Sequence, residues 1–275
     1  MAKYNDLDKT RWREYGDIWT DSLWLIDKRD NSGVHTGAYH GNFVPQIPNQ
    51  LFRRYTKEGE WILDPFTGSG TSLIEAQRLN RNYLGIELQD SVAKDTGQRL
   101  LLEHNDKVRG SVCVGDSSEY DLSPVMKTYG IDKVQFVLFH PPYWDIIRFS
   151  ENPADISNAE TLEEFLNGFG KVIENTCQFL EKDRYCGLVI GDKYANGELV
   201  PLGFLCMQLF LKRGFLLKAI IVKNYDETKG KANQQGIWRY RALANDFYIF
   251  KHEYIMIFKK IRDEVTENGD TLQAA

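Results

Sequence analysis

Five short apolar runs in this chain each stop on a polar side chain, and no other feature restricts the fold as much. EWILD ends at Asp64, NYLGIE at Glu87, SVCVGD at Asp116, VQFVLFH at His140 and CGLVIGD at Asp192. Runs this short, rich in β-branched and aromatic residues, read as buried strands. Between them lie stretches with helical spacing. GTSLIEAQRLN repeats Leu73, Ile74, Ala76 and Leu79, and SVAKDTGQRLLLEH follows. TLEEFLNGFGKVIENTCQFLE opens with a capping-box pair, Thr161 and Glu164, and VPLGFLCMQLFLKRG is closed by Gly214. Strands alternating with helices predict an α/β fold: a mostly parallel sheet covered on both faces. Ligands bind such sheets at the carboxyl ends of the strands, so the five terminating residues are expected along one ligand-binding edge.

Two further runs, FLLKAIIVKN and HEYIMIFKK, read as the last strands. No helix is evident between them, and the long irregular connection is expected to be a functional loop. Residues 1–40 are polar with scattered tryptophans and read as an N-terminal extension. Residues 41–262 read as one domain and 263–275 as a polar tail.

Composition narrows the class. The chain has 275 residues, 27% charged and 42% hydrophobic, which is ordinary for a globular protein. No run approaches the roughly 18 apolar residues of a membrane span, and the polar start MAKYNDLDKTRWREYGD lacks a secretory pattern. Cys113, Cys177, Cys186 and Cys206 form no CxxC pair and no metal site is expected; reduced core cysteines suit a cytoplasmic protein. The net charge of −5 excludes a surface coated in positive charge. It leaves room for a local basic patch that contacts phosphates.

DPFTGSGTS places Gly68 and Gly70 between a strand and a helix, where the backbone turns tightly and a ligand can approach it. The helix N-terminus beyond suits a carboxylate or phosphate. Gly-x-Gly alone is a weak signal, and the dinucleotide pattern G-x-G-x-x-G fails because Leu73 holds the third place. The following strand ends add weight. Glu87 can accept hydrogen bonds from ribose hydroxyls, and Asp116 can meet an adenine amino group. A lone acid at a strand end is more often a turn residue or cap. Three in succession describe a pocket for a nucleoside with a negatively charged tail, such as S-adenosylmethionine.

DPFTGSGT, GIEL, GDSSEY and HPPYWD, in this order, resemble the successive motifs of the amino-group DNA methyltransferases, which methylate adenine N6 or cytosine N4. GNFVPQIPNQLF, with Pro45, resembles the segment that precedes the glycine loop in that family. The resemblance covers about residues 40–260, in the unpermuted order of motifs. It implies a Rossmann-like class I methyltransferase, seven strands with the last inserted antiparallel, and S-adenosylmethionine as methyl donor. It assigns Phe66, Gly68, Gly70 and Thr71 to the methionine end, Glu87 to the ribose and Asp116 to the adenine. Pro45, Asp64, Thr67 and Ser69 complete the expected cofactor set. The family motif at 140–143 begins with Asp, Asn or Ser; here it begins with His140.

That departure bears on the chemistry. An exocyclic amino nitrogen is a poor nucleophile because its lone pair is delocalised into the ring. Two acceptors aimed at its hydrogens turn the lone pair toward the methyl donor, so catalysis comes from positioning and electrostatics. The resemblance makes His140 one acceptor and the Pro141 carbonyl the other. Pro142 stiffens the turn, and Tyr143 stacks on a base flipped out of the duplex. Histidine accepts only through an unprotonated nitrogen. At its ordinary pKa of about 6.5 it is a conditional acceptor near neutrality, so HPPY is expected to be more pH-sensitive than DPPY. Methylation at cytosine C5 needs a cysteine, preceded by proline in that family; no cysteine here follows a proline.

Lys223, Lys229, Lys231, Trp238, Arg239 and Arg241, with aromatics between them, suit phosphate contacts and stacking, although a solvated loop explains them equally well. Trp144, Arg148 and Lys193 are the other expected DNA contacts. The segment YWDIIRFSENPADISN is expected to close over the base. Sequence choice is left to these loops, the first 40 residues, or a second subunit or second copy. Two alternatives stay open: an RNA amino-group methyltransferase, and a non-catalytic DNA-binding subunit with a degenerate HPPY turn.

Overall fold

The computed structural model describes residues 4–225 and 235–266. At its centre lies an eight-stranded sheet, numbered along the chain. From edge to edge the order is β4 (Gly110–Val114), β3 (Asn82–Glu87), β2 (Trp61–Asp64), β5 (Val134–Phe139), β6 (Leu180–Ile190), β10 (His252–Lys260), β9 (Phe215–Asn224) and β1 (Leu23–Trp24). β4, β3, β2, β5 and β6 pair in parallel, as the strand–helix alternation predicts. β10 runs antiparallel between β6 and β9, the expected inserted last strand.

The central strands are apolar throughout because both faces are covered. On one side, Phe139 of β5 meets Phe169 of α5 (Leu162–Cys177) and Phe210 of α6 (Leu202–Lys212). Phe210 in turn stacks on Phe258 of β10, with ring centroids 4.3 Å apart. On the other side, Phe136 meets Phe52 of α1 (Gln46–Tyr55), which packs with Leu73 and Ile74 of α2 (Thr71–Arg78) and Leu100 of α3 (Asp90–Leu102). Truncating a buried phenylalanine typically costs ~3–5 kcal/mol. The sheet is thus a stiff floor, and the loops at its carboxyl edge inherit their positions from it. All four cysteines are buried and unpaired. The predicted capping box is present: Glu164 N–H donates to Thr161 Oγ1, and the Glu164 carboxylate accepts the Thr161 N–H. Among the described residues, no helix is long and apolar enough to cross a membrane.

Six elements depart from the sequence reading. β1 comes from the N-terminal extension and adds an eighth strand, pairing Leu23 and Trp24 with Val222 and Lys223. Two residues carry no periodic signal; burial of Trp24 and a bond from Ile26 N–H to Asn224 Oδ1 (2.7 Å) hold it. α1 is additional to the predicted helices, as is the short α4 (Ser123–Tyr129). β7 (Lys193–Ala195) and β8 (Glu198–Val200) form a hairpin whose turn residues, Asn196 and Gly197, both have positive φ. Asn-Gly is a strong hairpin signal, masked here because its flanking strands are too short to show alternation. Finally, the connection expected to be irregular contains α7 (Gln235–Ala244). Its apolar residues are spread around the helix, and Ile237, Tyr240 and Leu243 are exposed, so no one-sided stripe announced it.

Candidate active site

The loop after β2 is built from its own backbone. Asp64 is buried and accepts hydrogen bonds from Phe66 N–H (2.9 Å) and the Ser72 hydroxyl. Burial pushes its carboxyl up to about 6. Gly68 and Gly70 both have positive φ, and a Cβ on Gly70 would lie 2.5 Å from Thr96 Cγ2, so only glycine fits there. Glu87, at the end of β3, ties the loop to the next strand. Its Oε2 accepts the Gly68 N–H (2.8 Å) and its Oε1 the Gln89 N–H (2.9 Å).

Beyond this loop, at the carboxyl edge of the sheet, opens a cavity of about 1290 Å³. Phe66, Thr67, Gly68 and Thr71 from the loop reach its wall, with Glu87, Asp116, His140 and Asp192 from four strand ends. Asp64, Ser69, Gly70 and Pro45 do not reach it. Asp64 and Gly70 shape the loop from below. Ser69 donates to Asn42 Oδ1 (2.6 Å), and Pro45 starts α1.

The whole HPPY turn lines the same cavity. The His140 ring sits edge-on to Phe43, at 4.7 Å between centroids, and edge-on to Tyr143 at 5.7 Å. The Tyr143 hydroxyl donates to Glu253 Oε2 (2.8 Å) and lies 3.4 Å from His140 Nε2. Glu253 Oε1 pairs with Lys223 Nζ at 2.9 Å. These two stand directly opposite each other on β10 and β9. Burial lowers the pKa of His140 to about 4, outweighing the nearby Glu253 carboxylate, which acts to raise it. The neutrality-range titration expected of this histidine therefore does not hold in the folded chain. Burial and Glu253 together push the Tyr143 phenol well above its ordinary value.

With this geometry in place, the comparisons with known proteins agree. Residues 2–97 and 134–275 match the N6_N4_Mtase family model, described as DNA methylase. The chain belongs to the DNA methylase family. It is 34% identical over 96 residues to the type II methyltransferase M2.DpnII of Streptococcus pneumoniae, covering 34% of this chain and 32% of that protein. It is 43% identical over 74 residues to the type II methyltransferase M.HindIII of Haemophilus influenzae, covering 26% and 24%. The matched stretches thus span about a third of the length of these relatives or less. Among solved structures, TrmN from Thermus thermophilus superposes with a TM-score of 0.50 at 16% identity, over 80% of this chain and 49% of that one, a likeness of fold. The fold is the Rossmann-like one of the class I methyltransferases.

The structure places the expected DNA contacts unequally. Lys223 is buried in the pair with Glu253, so it is not a surface phosphate contact. Lys193 is also buried, pairs with Asp145 and lies 4.2 Å from the Trp144 ring centroid. Trp144 donates its indole N–H to Ala159 O (2.9 Å) and packs against the core edge, off the cavity wall. Arg148 is exposed beside Glu151. Arg239 and Arg241 are exposed on α7, with Arg241 5.2 Å from the ring of Trp238, which lines the cavity. Lys229 and Lys231 lie outside the described residues.

Sequence reasoning did not single out Tyr39, Asn42 or Phe43, which come from the segment before α1 and line the cavity; Phe149 lines it from the stretch expected to close over the base. Tyr39 and Phe149 stack on each other in its wall, at 6.2 Å between ring centroids. Glu253 was missed as well. Its signal was an acid in strand alternation with Ile255 and Ile257, on a face that is otherwise apolar.

Proposed function

We propose that this methylase transfers a methyl group from S-adenosylmethionine to the exocyclic amino group of an adenine (N6) or cytosine (N4) flipped out of DNA. One observation carries the reading: the glycine loop with Glu87 and the HPPY turn open onto a single cavity. The residues fit the cofactor. Each Glu87 oxygen takes one backbone N–H, and an ionised carboxylate offers about four lone-pair sites, so capacity remains for two ribose hydroxyls. Phe66 and Ile86 supply apolar wall. The adenine role of Asp116 rests on position alone, since it lies in the stretch 98–133 outside the family match.

When bound, the cofactor supplies an electrophilic methyl on a sulfonium. The protein's part is to orient the amino group. His140, held neutral by burial, accepts one amino hydrogen and the Pro141 carbonyl the other. The turn is half-buried, with Pro141 itself buried, and the lower local polarity strengthens both contacts. The family description, DNA methylase, favours DNA over RNA as substrate. The deciding experiment incubates the protein with labelled S-adenosylmethionine and DNA or RNA, digests the product to nucleosides and weighs them. Methylated deoxyadenosine or deoxycytidine is expected. Label only in ribonucleosides would establish the RNA reading, and no label with either would establish a non-catalytic subunit.

A further inference from the structure

We infer that Glu253 is a positioning residue: by taking the only proton of Tyr143, it sets His140 as the Nε2–H tautomer, so that Nδ1 is the nitrogen that accepts the target amino hydrogen. The inference rests on the function proposed above for its last clause; its tautomer clause stands on geometry alone.

A phenol has one proton and can donate it once. The Tyr143 hydroxyl is 2.8 Å from a Glu253 oxygen and 3.4 Å from His140 Nε2. A bond to a carboxylate is the stronger of the two, so the proton goes to Glu253. Tyr143 then turns only lone pairs toward His140 Nε2. A lone pair on Nε2 would face them, whereas an N–H there completes the chain. Neutral imidazole carries a single proton, so Nδ1 is left with the acceptor lone pair. The ring belongs to the cavity wall, where such an acceptor is useful.

The rest of the network fixes Glu253 in place. Lys223 Nζ holds the other carboxylate oxygen at 2.9 Å, and both residues are buried. Tyr143 is also confined from behind, because a Cβ on Gly191 would lie 3.0 Å from its ring. Tyr225, 5.4 Å from Lys223 Nζ at its ring centroid, closes the cluster. The order of contacts is therefore Lys223 on β9, Glu253 on β10, then Tyr143 and His140 within the HPPY turn.

The tautomer is read directly by nitrogen NMR of the full chain with 15N-labelled histidine. There are five histidines, and the His140 signals are those lost in His140→Gln. At neutral pH the parent is expected to show a protonated Nε2 and an unprotonated Nδ1. In Glu253→Gln the amide oxygen turns to the Lys223 ammonium and the amide N–H donates to Tyr143, whose proton then points at His140. The His140 tautomer is expected to shift toward Nδ1–H. Tyr143→Phe, which keeps the ring and serves should Glu253→Gln misfold, is expected to give averaged signals from both tautomers. A parent in the Nδ1–H form overturns the inference, as does an unchanged tautomer in either variant. None of these outcomes depends on DNA, so absence of base methylation would sink the proposed function while leaving the tautomer result readable.

Activity supplies a second, separate readout. Glu253→Gln is expected to lower the single-turnover rate by roughly 10- to 100-fold, the scale for misaligning one polar contact to the reacting group. In a His140→Asn background, where no tautomer exists, the same change should cost far less. Equal losses in both backgrounds would assign Glu253 a general structural role instead.

Discussion

The loop after β2 and the turn after β5 face one cavity but are held by different means. The loop is tied by backbone N–H groups and near neighbours: Asp64 to Phe66, Glu87 to Gln89, and Glu87 to Gly68 across 19 residues. The turn is tied by side chains far along the chain, Tyr143 to Glu253 across 110 residues, with Lys223 behind them. The loop depends on its glycines and on the two carboxylates that gather its backbone N–H groups. Side-chain-held parts depend on every member of a buried network, because a partner removed leaves a charge or polar group unsatisfied.

Variants can test that contrast, beginning with the largest effect. His140→Ala removes the acceptor itself and should lower turnover by at least ~10²-fold, the scale for one oriented polar contact in a transition state. Cofactor affinity by calorimetry should be unaltered. A near-parental rate would remove His140 from the chemistry.

The next effect is on stability. Glu253→Ala strands Lys223 in the core and should cost ~3–5 kcal/mol, read as a lowered denaturation midpoint. Lys223→Met with Glu253→Met should recover most of it. A single variant as stable as the parent would mean that the network does not hold the turn.

The pH profile follows. Burial disfavours the imidazolium, so His140 stays a neutral acceptor through 6.5 and protonates only toward about 4. The positive sulfonium would lower it further. Single-turnover rate in the parent should thus be level from neutrality past pH 6 and fall only in stronger acid, and His140→Asn should lose that last fall. A parental decline centred near 6.5, absent in His140→Asn, would show that the turn is more hydrated than its packing implies.

On the loop side, Glu87→Gln is more informative than alanine, because the carboxylate also anchors Gly68 and Gln89. It should weaken S-adenosylmethionine binding by ~1–3 kcal/mol, the scale for hydrogen bonds to a charged group. Unchanged affinity would take Glu87 away from the ribose. The smallest effect belongs to the rim. Arg239→Ala with Arg241→Ala should reduce the slope of log affinity for DNA against log salt by ~1 for each phosphate no longer neutralised. An unaltered slope would move the phosphate surface off α7.

The strand ends and the glycine loop were readable from the chain because their causes are local. An apolar run stopped by an acid, glycines at a strand-to-helix turn, and Thr161 with Glu164 at a helix start each express a rule spanning a few residues. The same locality made HPPY recognisable as a turn at the ligand edge of the sheet, where it lines the cavity. Only the tertiary structure decided that Lys223 faces Glu253 instead of phosphate, that Trp144 turns inward, and that Tyr39 and Phe43 complete the cavity. It also decided that His140 is buried enough to stay neutral. Each of these depends on which strand lies beside which. Antiparallel insertion of β10 between β6 and β9 brings residue 253 beside residue 223 and beneath residue 143, and no spacing within one segment encodes that approach.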